Sequence, residues 1–236
     1  MSCIKNKIVL TGVAFCGFMA LFSSTSAAIF DTEDPMYFEQ ARDFTIRGGL
    51  SFGDDILDVG LKAAYGINDI FVFGTTVKYQ QDFNDERDYD GFSYFGFDAM
   101  YRMSNGAVKS DLFGGIKVSG DADPRFDKNI YFGGVRIGRS WDWVTLSGAL
   151  KSSWIFDELN GMAWIDIMPD IYFRLSSNWR IGLGADFRKS TNPIFDTTIV
   201  NAKLVRQYGR TQYVGFGEYD FEQNNMKFGT RVNISF

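Results

Sequence analysis

Apolar and polar residues alternate along most of this chain. Met226, Phe228, Thr230, Val232, Ile234 and Phe236 fall on one face of the last eleven positions, and Lys227, Gly229, Arg231, Asn233 and Ser235 on the other. Trp179, Ile181, Leu183, Ala185 and Phe187 oppose Arg180, Gly182, Gly184, Asp186 and Arg188 in the same way. Phe95, Phe97, Ala99, Tyr101 and Met103 oppose Gly96, Asp98, Met100 and Arg102. A period of two marks a strand with one apolar face, and no 3.6-residue period persists beside it. Followed through the chain, the alternation predicts about twelve strands, near 42–52, 57–67, 70–81, 92–103, 107–118, 129–140, 143–155, 162–175, 178–188, 194–207, 211–221 and 225–236. Runs of about 10 to 13 residues exceed the 5–6 usual in soluble strands. They match the roughly 9–11 that a tilted strand needs to cross a bilayer. The phase of 211–221 is ambiguous, and that of 194–207 nearly so. Pro169 falls within 162–175, in phase with Ile165, Ile167 and Ile171, and a missing ladder donor there predicts a bulge or a break in pairing.

The connections alternate as well. Asn68-Asp69, Ser104-Asn105-Gly106, Ser140-Trp141-Asp142, Ser176-Ser177-Asn178 and Gly209-Arg210 are tight. The other set holds the longest and most charged segments, Asp82 to Gly91 and Asp121 to Lys128, with Gly53-Asp54-Asp55, Asp157 to Gly161, Lys189 to Pro193 and Glu222 to Asn224 as shorter members. Short turns at one end and longer loops at the other predict a transmembrane antiparallel up-and-down β-barrel with both termini on the periplasmic side, for which an even strand count is required. A soluble sandwich also alternates. Long uniform strands, aromatics crowded at strand ends (Tyr79, Trp143, Trp154, Trp179, Tyr208) and a polar face dense in glycine and charge favour the barrel.

The first 28 residues predict an export signal. Lys5 and Lys7 form a positive start, Ile8 to Phe22 an apolar stretch, and Ser-Thr-Ser-Ala-Ala a small-residue cleavage region. Both cysteines, Cys3 and Cys16, leave with it, so no disulfide framework is expected. Loss of the two lysines takes the net charge from -5 to -7. Residues 29–41 then form a short N-terminal periplasmic segment, and 42–236 the barrel.

Phe236, with Ile234 and Val232 in phase before it, resembles the C-terminal assembly signal of bacterial outer-membrane β-barrel proteins. The resemblance extends over the architecture of the barrel region. It implies a cell outer membrane location, contact with lipid and lipopolysaccharide, and recognition of the last strand by the barrel assembly machinery. Small monomeric porins for acidic sugars are the analogue it offers, on strand number and basic lumen. Neither it nor the pattern sets an oligomeric state.

Charge refines the picture. Phasing the strands turns Arg47, Lys62, Lys78, Arg102, Lys109, Lys117, Arg136, Lys151, Arg174, Arg180, Arg188, Lys203, Lys227 and Arg231 inward. The acids on that face are Asp43, Asp58, Asp98, Asp111, Asp166, Asp170 and Asp186. Fourteen bases against seven acids leave a basic bore and acidic loops. A narrow, water-filled path with positive walls concentrates anions, which predicts a passive pore for small anionic solutes. The alternative is a plugged structural or surface-binding barrel, its lumen filled by an ion network.

Other chemistry finds little support. The chain has no histidine, which excludes Ser-His and Cys-His nucleophile systems and His-ligated metals. Asp166 with Asp170 is the remaining acid pair, but both share a strand with Arg174, where salt bridging is the simpler expectation. Asp82-Phe83-Asn84 begins like a calcium loop, yet Arg87 stands where that pattern needs glycine. A solvated loop, with weak divalent bridging to lipopolysaccharide phosphates as a further hypothesis, fits better. Gly182-Leu-Gly184 and Gly215-Phe-Gly217 lack the strand-to-helix setting of a nucleotide loop. The acidic balance argues against nucleic acid. No cofactor, metal or enzymatic activity is expected.

Overall fold

In a computed structural model of the protein, residues 44–67, 70–84, 90–120, 128–156 and 161–236 are described. The export signal, residues 29–41, Asp43, the Asn68-Asp69 turn and the middles of the loops at 82–91, 121–128 and 157–161 lie outside these residues. Twelve strands follow one another: β1 (Phe44–Gly53), β2 (Ile56–Gly66), β3 (Phe71–Asp82), β4 (Gly91–Asn105), β5 (Val108–Ser119), β6 (Ile130–Ser140), β7 (Val144–Ile155), β8 (Met162–Arg174), β9 (Trp179–Ser190), β10 (Thr197–Tyr208), β11 (Thr211–Asp220) and β12 (Asn225–Ser235). Each pairs antiparallel with its chain neighbours, and β1 pairs with β12 to close the barrel. Closure leaves no free edge, which a sheet in hydrocarbon requires.

The seam runs from Thr45↔Ser235 to Phe52↔Phe228. At its foot the Phe236 N–H donates to the Phe44 carbonyl at 2.9 Å, and the two rings lie 6.1 Å apart. Asp54 and Asp55, both at positive φ (51° and 59°), make the two-residue turn between β1 and β2. Two consecutive left-handed residues give the turn whose twist suits a hairpin, and aspartate tolerates that region better than most side chains. Between β9 and β10 a single 3-10 turn (Pro193–Phe195) replaces the predicted strand start at 194. Here Asp196 accepts from Lys189 Nζ and from the Ser190 N–H (2.7 Å), and these bonds hold its carboxyl below the ordinary carboxylate range.

Pro169 breaks the ladder as its ring demands. β8 pairs with β9 at Ile167↔Phe187 and again at Asp170↔Gly184, with no pairs at Met168 and Pro169 and no shift in register. On the other side Gly148↔Pro169 pairing continues. The outcome is a gap without a bulge. Irregular register occurs instead between Lys78 and Tyr79 and between Arg102 and Ser104.

The molecule is inside out relative to a water-soluble domain. Among the described residues eight hydrophobic side chains are buried against seventeen polar or charged ones. Phe97, Ile137, Leu150, Ile167, Leu204 and Phe228 instead face outward and exposed. Apolar patches larger than a few hundred Å² are rare on soluble monomers, so a surface of this kind calls for hydrocarbon around it. Trp143, Trp179 and Tyr208 ring the end with short turns, and Tyr79 and Trp154 the end with longer loops. At the short-turn end Arg139 and Arg206 lie on the outer face, each over a tryptophan ring, Trp141 (5.0 Å) and Trp179 (5.3 Å). Guanidinium groups on aromatic rings suit the polar boundary of a bilayer.

Candidate functional site

Inward positions are fixed by register, because residues paired across strands share a face. The fourteen bases named from phasing all fall on the inward register. Nine of them line three cavities of about 390, 450 and 390 Å³ within the barrel: Arg47, Lys62, Lys78, Lys117, Arg136, Arg188, Lys203, Lys227 and Arg231. Arg102 and Lys151 face the same interior through ion pairs, Lys109 through its alternation with Asp111, and Arg174 and Arg180 border a much smaller gap near Trp141 and Tyr172.

Inward bases pair with inward carboxylates, and Asp58, Asp111 and Asp166 each hold two of them. Asp58 binds Lys78 (2.9 Å) and Lys227 (2.7 Å). Asp166 binds Lys151 (2.7 Å) and Arg188 (2.6 Å). Asp111 binds Arg102 and Arg136 (2.8 Å), and its carboxyl is wholly buried. Lys62 meets Asp98 at 2.7 Å, and Lys203 meets Asp170 at 3.2 Å and the Tyr172 hydroxyl at 3.3 Å. Arg174 is not the partner of Asp166 or Asp170, contrary to the expectation from their shared strand. Lys151 and Arg188 lie level with Asp166 on the two adjoining strands and Lys203 reaches Asp170 from β10, whereas Arg174 lies four residues further along from Asp170.

All eight of these inward pairs join strands that are adjacent or two apart in the ring. Lys62 to Asp98 runs β2 to β4, Lys227 to Asp58 runs β12 to β2, and Lys203 to Asp170 runs β10 to β8. The bonds follow the wall and none of them crosses the lumen. Lys117 differs from its neighbours: among the described residues it has no ion pair, and its Nζ lies 4.7 Å from the centre of the Tyr94 ring. Both residues line the cavity on the long-loop side and the central cavity, so this pair stands at the passage between them.

Two groups of inward residues escaped the sequence reading. Glu218 lines a cavity and is the register partner of Lys227. The ambiguous phase of 211–221 hid it, because Val214 and Phe216 also point inward. The second group is aromatic. Phe113 and Phe132 line the central cavity and Phe216 its neighbour. The rings lie against the wall, over glycine on the next strand. Phe113 pairs with Gly134 and Phe132 with Gly115, and a Cβ on either glycine would come within 2.7–2.8 Å of the ring tip. Phe216 over Gly229 and Tyr172 over Gly182 repeat the arrangement. At Gly115, Gly134 and Gly229 that Cβ would also meet the backbone carbonyls of Phe97 (2.2 Å), Leu150 (2.3 Å) and Leu50 (2.6 Å), so glycine is what lets both ring and neighbouring strand come this close. Phe113 shares a phase with Lys109, Asp111 and Lys117 on β5, and Phe132 with Arg136 on β6, which was the available signal.

No protein-family model matches the chain, and no curated protein does either. Solved structures do. The KdgM porin in complex with disordered oligogalacturonate is 15% identical, with a TM-score of 0.63 over 81% of this chain and 99% of that one. The NanC porin is 11% identical, with a TM-score of 0.63 over 82% and 98%. The COG4313 outer membrane channel from Pseudomonas putida F1 is 10% identical, with a TM-score of 0.62 over 88% and 100%. At these identities the likeness is one of fold: this chain has the fold of small porin-like outer-membrane barrels.

Proposed function

We propose that the protein is a passive pore of the bacterial outer membrane that favours small anionic solutes. The observation that carries this reading is the direction of the ion pairs. A plug would stitch opposite walls together, whereas these pairs run along the wall and leave cavities of about 390 to 450 Å³ between bases and aromatic rings. Fourteen inward bases exceed the inward acids even with Glu218 counted, and a positive, water-filled passage lowers the entry cost of an anion. The porin fold of KdgM and NanC supports the same reading, and KdgM's oligogalacturonate is an anionic ligand.

The lipid-facing surface and the loop asymmetry support an orientation with the long loops outside the cell, against lipopolysaccharide, and the short turns in the periplasm. Phe236, Ile234 and Val232 are the residues offered to the assembly machinery. Planar-bilayer recording tests the function: the expected result is a conductance whose reversal potential in a potassium chloride gradient favours chloride, and cation preference would overturn it. The plugged barrel is the second reading, favoured by the buried inward cluster of Tyr172, Val205 and Val214. It predicts a silent bilayer and no liposome swelling.

A further inference from the structure

The cavity of about 390 Å³ on the long-loop side is lined by Lys78, Lys117, Arg188 and Lys227 from the strands and by Lys128 beside β6. Among the described residues its lining acids are Asp54 and Asp58. Three of these bases already hold carboxylates, but two to one: Asp58 takes Lys78 and Lys227, and Asp166 takes Arg188 and Lys151. Each group of three therefore carries one net positive charge. Lys117 meets no carboxylate among the described residues, and its Nζ lies over the Tyr94 ring. The charges of Lys151, Lys78 and Arg188 repel it, and that of Asp166 attracts it more weakly. A second donor on this lining also lacks a partner. Trp164 is 6% exposed, and its Nε1 is buried without an acceptor. Arg188 lies over the Trp164 ring at 5.4 Å, so one guanidinium acts on both the indole and Lys117.

A buried N–H that has lost water without gaining an acceptor is a standing cost, and like charges crowded around one cavity are another. One kind of ligand relieves both: an anion with several acceptor oxygens and more than one negative charge. We propose that this cavity binds compact multivalent oxyanions of the phosphate and sulfate class, held by the Lys117 ammonium and the Trp164 indole N–H. The ammonium has three donors and spends none on a carboxylate among the described residues, so its bonds to the ligand are charge-assisted. Coulomb attraction grows with the ligand's charge, so a dianion gains about twice what a monoanion gains from the same bases. Chloride brings neither the second charge nor a set of oxygens that reaches two donors, and nitrate brings only the oxygens. The cavity's size falls within the range of small-molecule sites. The site rests on the proposed anion pore for the solute's route and deepens it by naming the class of solute held on the way.

Titration calorimetry of the detergent-folded barrel with inorganic phosphate, in constant potassium chloride, tests it. Saturable binding is expected, with nitrate weaker as a competitor by about tenfold or more. Lys117→Met is expected to weaken phosphate binding by about tenfold or more, the loss of a charge-assisted bond. Trp164→Phe keeps a ring under Arg188 and removes only the N–H, and a several-fold loss is expected. Heat-modifiable migration of the folded barrel should be kept in both variants. No saturable binding, nitrate equal to phosphate, or phosphate binding that neither variant weakens overturns the proposal. Lipopolysaccharide phosphates carry the same chemistry; lipid A added to the micelle should leave the phosphate affinity unchanged, and displacement by lipid A overturns the assignment to a solute. Chloride conductance is read separately. A silent bilayer with phosphate binding removes the pore and keeps the site, and chloride conductance without phosphate binding removes the site and keeps the pore.

Discussion

Asp111 and Lys117 lie six residues apart on β5 and face the same interior, yet their surroundings differ in kind. Asp111 is wholly buried between Arg102 and Arg136, on strands β4 and β6 at either side. Lys117 meets no carboxylate among the described residues and rests on the Tyr94 ring where two cavities join. Inward charge is thus of two sorts in this barrel. Some of it ties neighbouring strands together, and some faces the solute path. Counting bases on the inner face does not separate them.

Mutations can sharpen that division. Asp111→Asn leaves two guanidinium groups facing each other without their anion, and breaking a buried pair of this kind costs about 3–5 kcal/mol. The expected result is a large fall in the urea midpoint of the folded barrel; an unchanged midpoint would erase the distinction. Lys117→Glu is expected to act on permeation instead. A unit charge 4 Å from a passing ion contributes about 1 kcal/mol in water, so reversing it raises the chloride barrier and lowers the potassium barrier by about 2 kcal/mol each, a ceiling of roughly thirtyfold for either ion and about a thousandfold in their permeability ratio. The midpoint should stay put while the reversal potential moves. Arg188→Gln probes the ground between them, since Asp166 keeps Lys151 as a partner. Loss of one charged hydrogen bond predicts about 1.5–3 kcal/mol before solvent screening, and less here because Arg188 is about a quarter exposed. A smaller drop than for Asp111→Asn, with a modest shift in ion preference, is the expected pattern. The loop pair of Lys189 with Asp196 is solvent-exposed, and Lys189→Gln should leave both readouts where they were.

Much of the barrel was legible from residue order because hydrocarbon enforces the alternation. A charged side chain on the lipid face costs about 2–4 kcal/mol at the midplane, so the phase of β9 or β12 can be read from its own residues. The strand limits accordingly agree to within about three residues, and Pro169 announced its gap in the β8–β9 ladder. Reading failed where both faces are apolar. On β11, Val214 and Phe216 turn inward beside Glu218, so hydrophobicity gave no phase there. The partner of Asp170 was also beyond reach, because Lys203 is brought to it by the strand order around the ring and lies 33 residues away.

What residue order determined by itself was the strand set, their lengths and the outward face, since each depends on local periodicity tested against one solvent. Which base holds which acid, and which aromatic ring lies on which glycine, was decided by register and closure. Those contacts join strands through hydrogen-bonded neighbours, and a one-residue slip would exchange every pair. Arg47 and Phe132 are opposed only because twelve tilted strands close into a ring, a geometry that no single strand contains.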